Sequence, residues 1–235
     1  MLSVIVPTMW AYSPFLEFLH EVLHRDSVGE VLIINNEKKL TPTNSILSHP
    51  KIRMYESPEN LFVAPSWNLG AQICKYEKMA FLSDDLKCDS RVFDVVDQFL
   101  DFPNVGMVGI VMPYEGTDCY EKNFSDGSID IINCQSKDND GNRISSEVGI
   151  GNLFFLKKEN WKEIPVVKIF HGEILQWNRM EEINKQNFVI INCYAETPWH
   201  VSWLKMSENP ETAHLLGKYQ NEDQKFCESI GFRFK

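Results

Sequence analysis

No apolar run in this 235-residue chain approaches the ~18 residues a membrane-crossing helix needs, so no transmembrane segment is expected. The first residues, MLSVIVPT, lack the basic start of a signal peptide, and a cytoplasmic location follows as the expectation. No CxxC pair is present; the six cysteines (74, 88, 119, 134, 193, 227) stand far apart, as in a reduced protein without a disulfide framework. Basic residues are scarce, 23 against 33 acidic, and the formal net charge of −10 opposes binding to nucleic acid or anionic lipid. Repeats, low-complexity tracts and flexible linkers are absent too.

What remains is ordinary globular material, 43% hydrophobic and 24% charged, enough for one α/β domain over 1–235. Residues 2–7 (LSVIVP) form a continuous apolar run stopped by Pro7, the pattern of a parallel strand buried on both faces. Phe15, Phe18, Leu19, Val22 and Leu23 recur at helical spacing over 14–25. Strands are predicted at 30–34, 51–55 and 79–82, with a helix over 65–75 before the last of these. Strand–helix alternation of this kind specifies a mostly parallel open sheet flanked by helices. The second half predicts strands at 105–112, 151–157 and 188–194 and a helix over 173–186. A small antiparallel hairpin region is expected around the turn signal Asp138-Asn139-Asp140-Gly141, and a short helix in the polar tail 206–235.

Polar clusters close three of the strands: Pro7-Thr8, Asn35-Asn36 and Ser83-Asp84-Asp85. Asx residues at strand ends are ordinarily turn formers, but ligands of open α/β sheets bind at the carboxyl ends of strands, and three clusters there point to a site. Adjacent carboxylates repel and are costly without a cation. Hard oxygen donors suit Mn²⁺ or Mg²⁺ bridging a diphosphate.

The opening VIVPT, the run LIINN and the segment ENLFVAPSWNLGAQICKYEKMAFLSDDL together resemble family-2-type glycosyltransferases of the GT-A (Rossmann-like) fold. The resemblance covers residues 1–90 and extends through 149–156, HGEILQWNR (171–179) and His200. It implies a nucleotide-sugar-binding half over 1–112 and an acceptor and catalytic half over 113–205. It implies transfer of a sugar, with inversion, from a nucleotide-diphosphate donor, UDP-sugars favoured, to a glycan, glycoconjugate or protein acceptor. By position it assigns Pro7, Thr8, Asn36, Asn68, Ser83 and Asp84 to the nucleotide sugar and Asp85 and His200 to the metal. Glu173, six residues before Arg179, would be the catalytic base. The chain departs from the pattern at Ser83 (usually acidic or amide), Asn36 (usually Asp), Trp67 (often Arg) and in a single acid at 173–174.

Other motifs have plainer readings. His20-Glu21-Val22-Leu23-His24 spells the zinc-protease pattern, yet with Phe15, Leu19 and Val22 facing the core these polar residues belong to a solvated helix face. Gly149-Ile150-Gly151 leads into a strand and has no third glycine, unlike a dinucleotide cradle. Asp138–Gly141 lacks the later glutamate of a calcium loop. Trp177, Trp199 and Trp203 read as core packing before sugar platforms. Two rivals stay in view. A nucleotidyltransferase would need a glycine-rich basic loop after the first strand, where TMWAYSPF has neither. A non-catalytic sugar- or nucleotide-binding module would need no base.

Overall fold

The structure, a computed structural model, describes residues 1–110, 129–134, 150–165, 167–169, 171–197 and 210–230. Along the chain run β1 (Leu2–Thr8), α1 (Phe15–Leu23), β2 (Val28–Asn35), β3 (Ile52–Glu56), α2 (Val63–Ile73), β4 (Lys78–Leu82), β5 (Lys87–Cys88) and α3 (Val92–Phe99). Then follow β6 (Val105–Ile110), β7 (Asp130–Cys134), β8 (Leu153–Lys157), α4 (Gly172–Glu182), β9 (Gln186–Ile191), β10 (Ala195–Glu196) and α5 (Pro210–Ser229). Eight strands form one sheet in the order β3-β2-β1-β4-β8-β6-β9-β7, and β5 with β10 makes a small antiparallel ladder. Within the large sheet β8 and β7 run against the rest.

The expected α/β architecture is present, and its cause lies in the strand composition. In β1, β2, β4 and β8 successive side chains alternate between two cores, so both must be apolar. Val4, Val6, Val31, Ile33, Ala80 and Phe155 pack with α1 and α3, whereas Ile5, Leu32, Ile34, Phe81 and Phe154 pack with α2 and α4. On α1, Phe15, Phe18, Leu19, Val22 and Leu23 are all buried. At ~1.5–3 kcal/mol for each fully buried side chain, these five fix the rotation of α1. His20, Glu21 and His24 are therefore exposed, and among the described residues no three His, Cys, Asp or Glu side chains are arranged to hold a metal.

Two helices differ from the sequence reading. Helix α3 was not anticipated, although Val92, Phe93, Val96 and Leu100 give it a buried face. Helix α5 is 20 residues long; Leu216, Asp223 and Cys227 are buried along one stripe, so the polar tail docks on the domain. The antiparallel content of the second half enters the main sheet as β8 and β7, while the turn at 138–141 lies outside the described residues. Among the described residues no helix is long and apolar enough to cross a membrane.

Candidate active site

The order 3-2-1-4 puts the topological switch point between β1 and β4, and the crevice beyond their carboxyl ends is where such sheets bind ligands. Thr8 ends β1 and Ser83-Asp84-Asp85 follows β4. Across the gap the Thr8 hydroxyl donates to Asp84 Oδ2 at 2.6 Å. The Ser83 hydroxyl donates to Asp85 Oδ1 at 2.5 Å. Both aspartates are buried, at 5% and 8% exposure. Burial raises the Asp84 pKa to about 6; the bonds from Thr8 and the Met9 backbone pull it down, and the charge of Asp85 pushes it up. Among the described residues no lysine or arginine pairs with either carboxylate.

These two carboxylates suit a divalent cation. They are hard oxygen donors, adjacent, desolvated and, among the described residues, without a cationic partner, which is the condition a bound ion relieves. Two protein carboxylates fill only part of an octahedron; diphosphate oxygens and water would complete it. His200 lies outside the described residues, as do Trp199 and Trp203. Just after Asp85, β5 pairs with β10: Glu196 is level with Lys87 and Ala195 with Cys88.

Thr8 and Asn35 are level neighbours on β1 and β2. Asn35 is fully buried and organises the edge of the crevice. Its Oδ1 accepts the Trp10 indole N–H at 2.9 Å and the Glu37 N–H at 3.2 Å, while its amide donates to Thr41 Oγ1 at 2.7 Å. Trp10 also gives its backbone N–H to Thr8 Oγ1 at 2.8 Å and sits in left-handed backbone, φ 56°. Trp10 is not among the residues the sequence assigns to the donor; the aromatic in TMWAYSPF is the signal for it. Asn36 faces α2: its amide donates to Ser66 Oγ at 3.1 Å and its Oδ1 accepts the Leu61 N–H at 3.1 Å. Asn68 clamps residue 164, donating to its carbonyl and accepting its N–H, both at 2.9 Å. Pro7 is level with Ile34 on β2.

Glu173 stands in the first turn of α4, where the helix dipole favours an acid. Its carboxyl lies over Gly151: a Cβ there would fall 3.2 Å from Glu173 Cδ and Oε1. The next residue, Asn152, accepts the Ser83 N–H at 2.8 Å. Because β8 runs backwards through the sheet, its beginning, not its end, reaches the edge occupied by Asp84 and Asp85, and Glu173 comes with it. Burial raises the Glu173 pKa to about 7. Trp67 does not enter this crevice. It is buried at 5%, edge-on to Phe154 at 5.0 Å, and would lie 3.1 Å from a Cβ on Gly172. Trp177 is likewise buried in that core. The structure thus gathers Thr8, Ser83, Asp84, Asp85 and Glu173 on one edge and turns the side chains of Asn36 and Asn68 to structural partners.

Solved structures share this fold. The S. aureus protein TarS (residues 1–349) superposes with a TM-score of 0.56 at 14% identity, over 80% of this chain and 57% of TarS 1–349. Its complex with UDP-GlcNAc gives 0.54 at 14% identity, over 86% and 60%. GalNAc-T7 with UDP, GalNAc and Mn²⁺ gives 0.59 at 13% identity, over 84% and 43%. The fold is therefore that of the GT-A glycosyltransferases, and the chain spans less than two thirds of each of these relatives. A comparison with curated proteins finds no match. The model of the family "Glycosyl transferase family 2" matches residues 3–163, more than half of the sequence, and the chain belongs to that family.

Proposed function

We propose that this protein is a metal-dependent, inverting glycosyltransferase that moves a sugar from a nucleotide-diphosphate donor to an acceptor hydroxyl. The observation that carries the proposal is the meeting of two differently tuned acid sites on one edge. A carboxylate pair sits at the switch point, and one carboxyl with a pKa of about 7 rests on the turn hydrogen-bonded to it. A base poised near neutrality accepts a proton most effectively at ordinary pH.

Asp85, with Asp84 beside it and His200 as a further ligand, would hold Mn²⁺ or Mg²⁺, which would offset charge on the departing diphosphate. Pro7, Thr8, Asn36, Asn68 and Ser83 remain assigned to the donor side; for Asn36 and Asn68 the role is to hold the walls of its pocket. Glu173 takes the proton from the acceptor hydroxyl as its oxygen bonds to the anomeric carbon. The bond from that carbon to the diphosphate oxygen breaks, and its electron pair leaves with the nucleoside diphosphate. UDP-sugars are the favoured donors, a choice supported by UDP and UDP-GlcNAc in the related structures. The acceptor is a glycan, glycoconjugate or protein. The cytoplasmic setting belongs to this proposal and is supported by four buried free thiols.

The test is a panel of UDP-, GDP- and dTDP-sugars with Mn²⁺, following nucleoside diphosphate release and the anomeric configuration of product. Transfer abolished by EDTA, restored by Mn²⁺ or Mg²⁺ and absent in Asp85→Ala is expected. Retained configuration would sink the inverting mechanism. Binding without any hydrolysis or transfer would assign the chain to the non-catalytic module instead.

A further inference from the structure

We propose that helix α5 belongs to the catalytic apparatus and that Asp223 is the residue positioning Glu173; the inference rests on Glu173 being the base. Asp223 is buried, 2% exposed, inside an otherwise polar helix. Its Oδ1 accepts the Lys168 N–H at 3.0 Å and its Oδ2 the Ile169 N–H at 2.9 Å. The Lys168 carbonyl accepts the N–H groups of Val63 and Ala64, both at 3.0 Å, at the start of α2. One short segment is thereby fastened to α5 on one side and to α2 on the other, a few residues before the base.

The need for fastening is visible in the backbone. His171, the residue before α4, is left-handed at φ 65°, ψ 7°. A non-glycine residue there is strained and persists only where its surroundings impose it. The Asp223 charge reaches this histidine, opposing the burial that lowers its pKa. Phe62, before α2, is left-handed too, φ 64°, and its ring meets Tyr219 of α5 edge-on at 4.9 Å. One turn beyond Asp223, the buried Cys227 thiol is pushed up to about 12, first by burial and then by the Glu173 charge. Helix α5 therefore holds the segment leading into α4 through Asp223.

A carboxylate suits this position because two consecutive N–H groups need two acceptors, and ionised acceptors make the stronger bonds. An amide would turn one NH₂ against a backbone N–H. Small displacements of a reacting group can cost ~10²-fold in rate.

The experiment compares Asp223→Asn with wild type in the full chain, measuring kcat, donor KM, UDP affinity with Mn²⁺ by calorimetry, and Tm. A roughly ten- to hundred-fold fall in kcat, with KM and UDP affinity within about two-fold, is expected. Unchanged kcat would overturn the proposal, and so would parallel loss of kcat, donor affinity and Tm, the pattern of a merely structural residue. If Asp223→Asn does not fold, Asp223→Glu keeps both acceptors one methylene further out and is read by the same criteria. Glu173→Gln separates the two ideas. If it retains full transfer, the base assignment fails; if it is inactive while Asp223→Asn is fully active, only the positioning role fails.

Discussion

Replacing Glu173 by Gln should abolish the proposed transfer and stabilise the fold at the same time. General-base assistance contributes ~10²–10⁴-fold, so transfer should fall by that factor while donor binding survives. The stability change follows from the pKa. A carboxyl raised from 4.5 to about 7 by burial binds its proton more tightly in the folded state than in the unfolded one. At ~1.4 kcal/mol per decade the difference is at most about 3.5 kcal/mol. Between pH 4.5 and 7 the folded state carries more of this proton, so wild-type stability falls as pH rises through that window and levels off above it. Glutamine carries no charge at any pH and escapes the penalty. Urea unfolding without metal or donor should give nearly equal stabilities near pH 4.5 and an advantage for Glu173→Gln that grows to its full size by pH 8. The wild-type kcat should rise with pH about a midpoint near 7. Parallel stability curves, or a less stable Gln variant at pH 8, would refute the buried, charge-disfavouring environment on which the base assignment depends.

Thr8→Val removes the hydroxyl that lowers the Asp84 pKa, so protons should compete harder with the metal. The Mn²⁺ concentration for half-maximal activity should rise several-fold at pH 6.5 and converge with wild type at high pH; the same ratio at both pH values would contradict this. Gly151→Ala puts a methyl 3.2 Å from the Glu173 carboxyl, the movable end of a side chain. The Tm should hold while kcat drops several-fold at constant donor KM, and unaltered kcat would count against the contact. Trp67→Ala should cost ~3–5 kcal/mol in urea unfolding, as for a large aromatic lost from a core; a loss below ~1 kcal/mol would mean that the Phe81–Phe154 cluster packs without it.

The strands at 2–7, 30–34 and 79–82 were legible because both faces are buried, which leaves a plain apolar run in the chain. Helix α3 was not read, although Val92, Phe93 and Val96 have helical spacing; Asp94 and Asp97 blur the pattern in a short segment. At the site, Thr8, Asp84 and Asp85 stand out in the sequence as polar residues at strand ends, whereas Glu173 is marked only by the family resemblance, six residues before Arg179. Their proximity is another matter, since it depends on strand order and on the reversed direction of β8, and neither is written in any local window. Asp223 was illegible for a related reason. A buried carboxylate has the same letter as a solvated one, and its partners are backbone N–H groups more than fifty positions away. Asn36 and Asn68 show the converse: amides that look free in sequence are taken up by the backbone of neighbouring segments.

The antiparallel passage of β8 between β4 and β6 also bears on how the chain reaches this state. Strands β1 to β4 are made and paired from residues 2–82, but the far flank of β4 is covered only when Leu153–Lys157 arrive, Leu153 lying level with Leu82. Until then Met79, Ala80, Phe81 and Leu82, all wholly buried at the end, form an open and entirely apolar edge, a template for pairing with other chains. Closing it pairs Leu82 with Leu153, partners far apart in the sequence, a slow step by the entropy of loop closure. During synthesis the N-terminal half must therefore wait with its stickiest strand bare. Lys78, at the start of β4, is the only charge that strand carries to guard its edge.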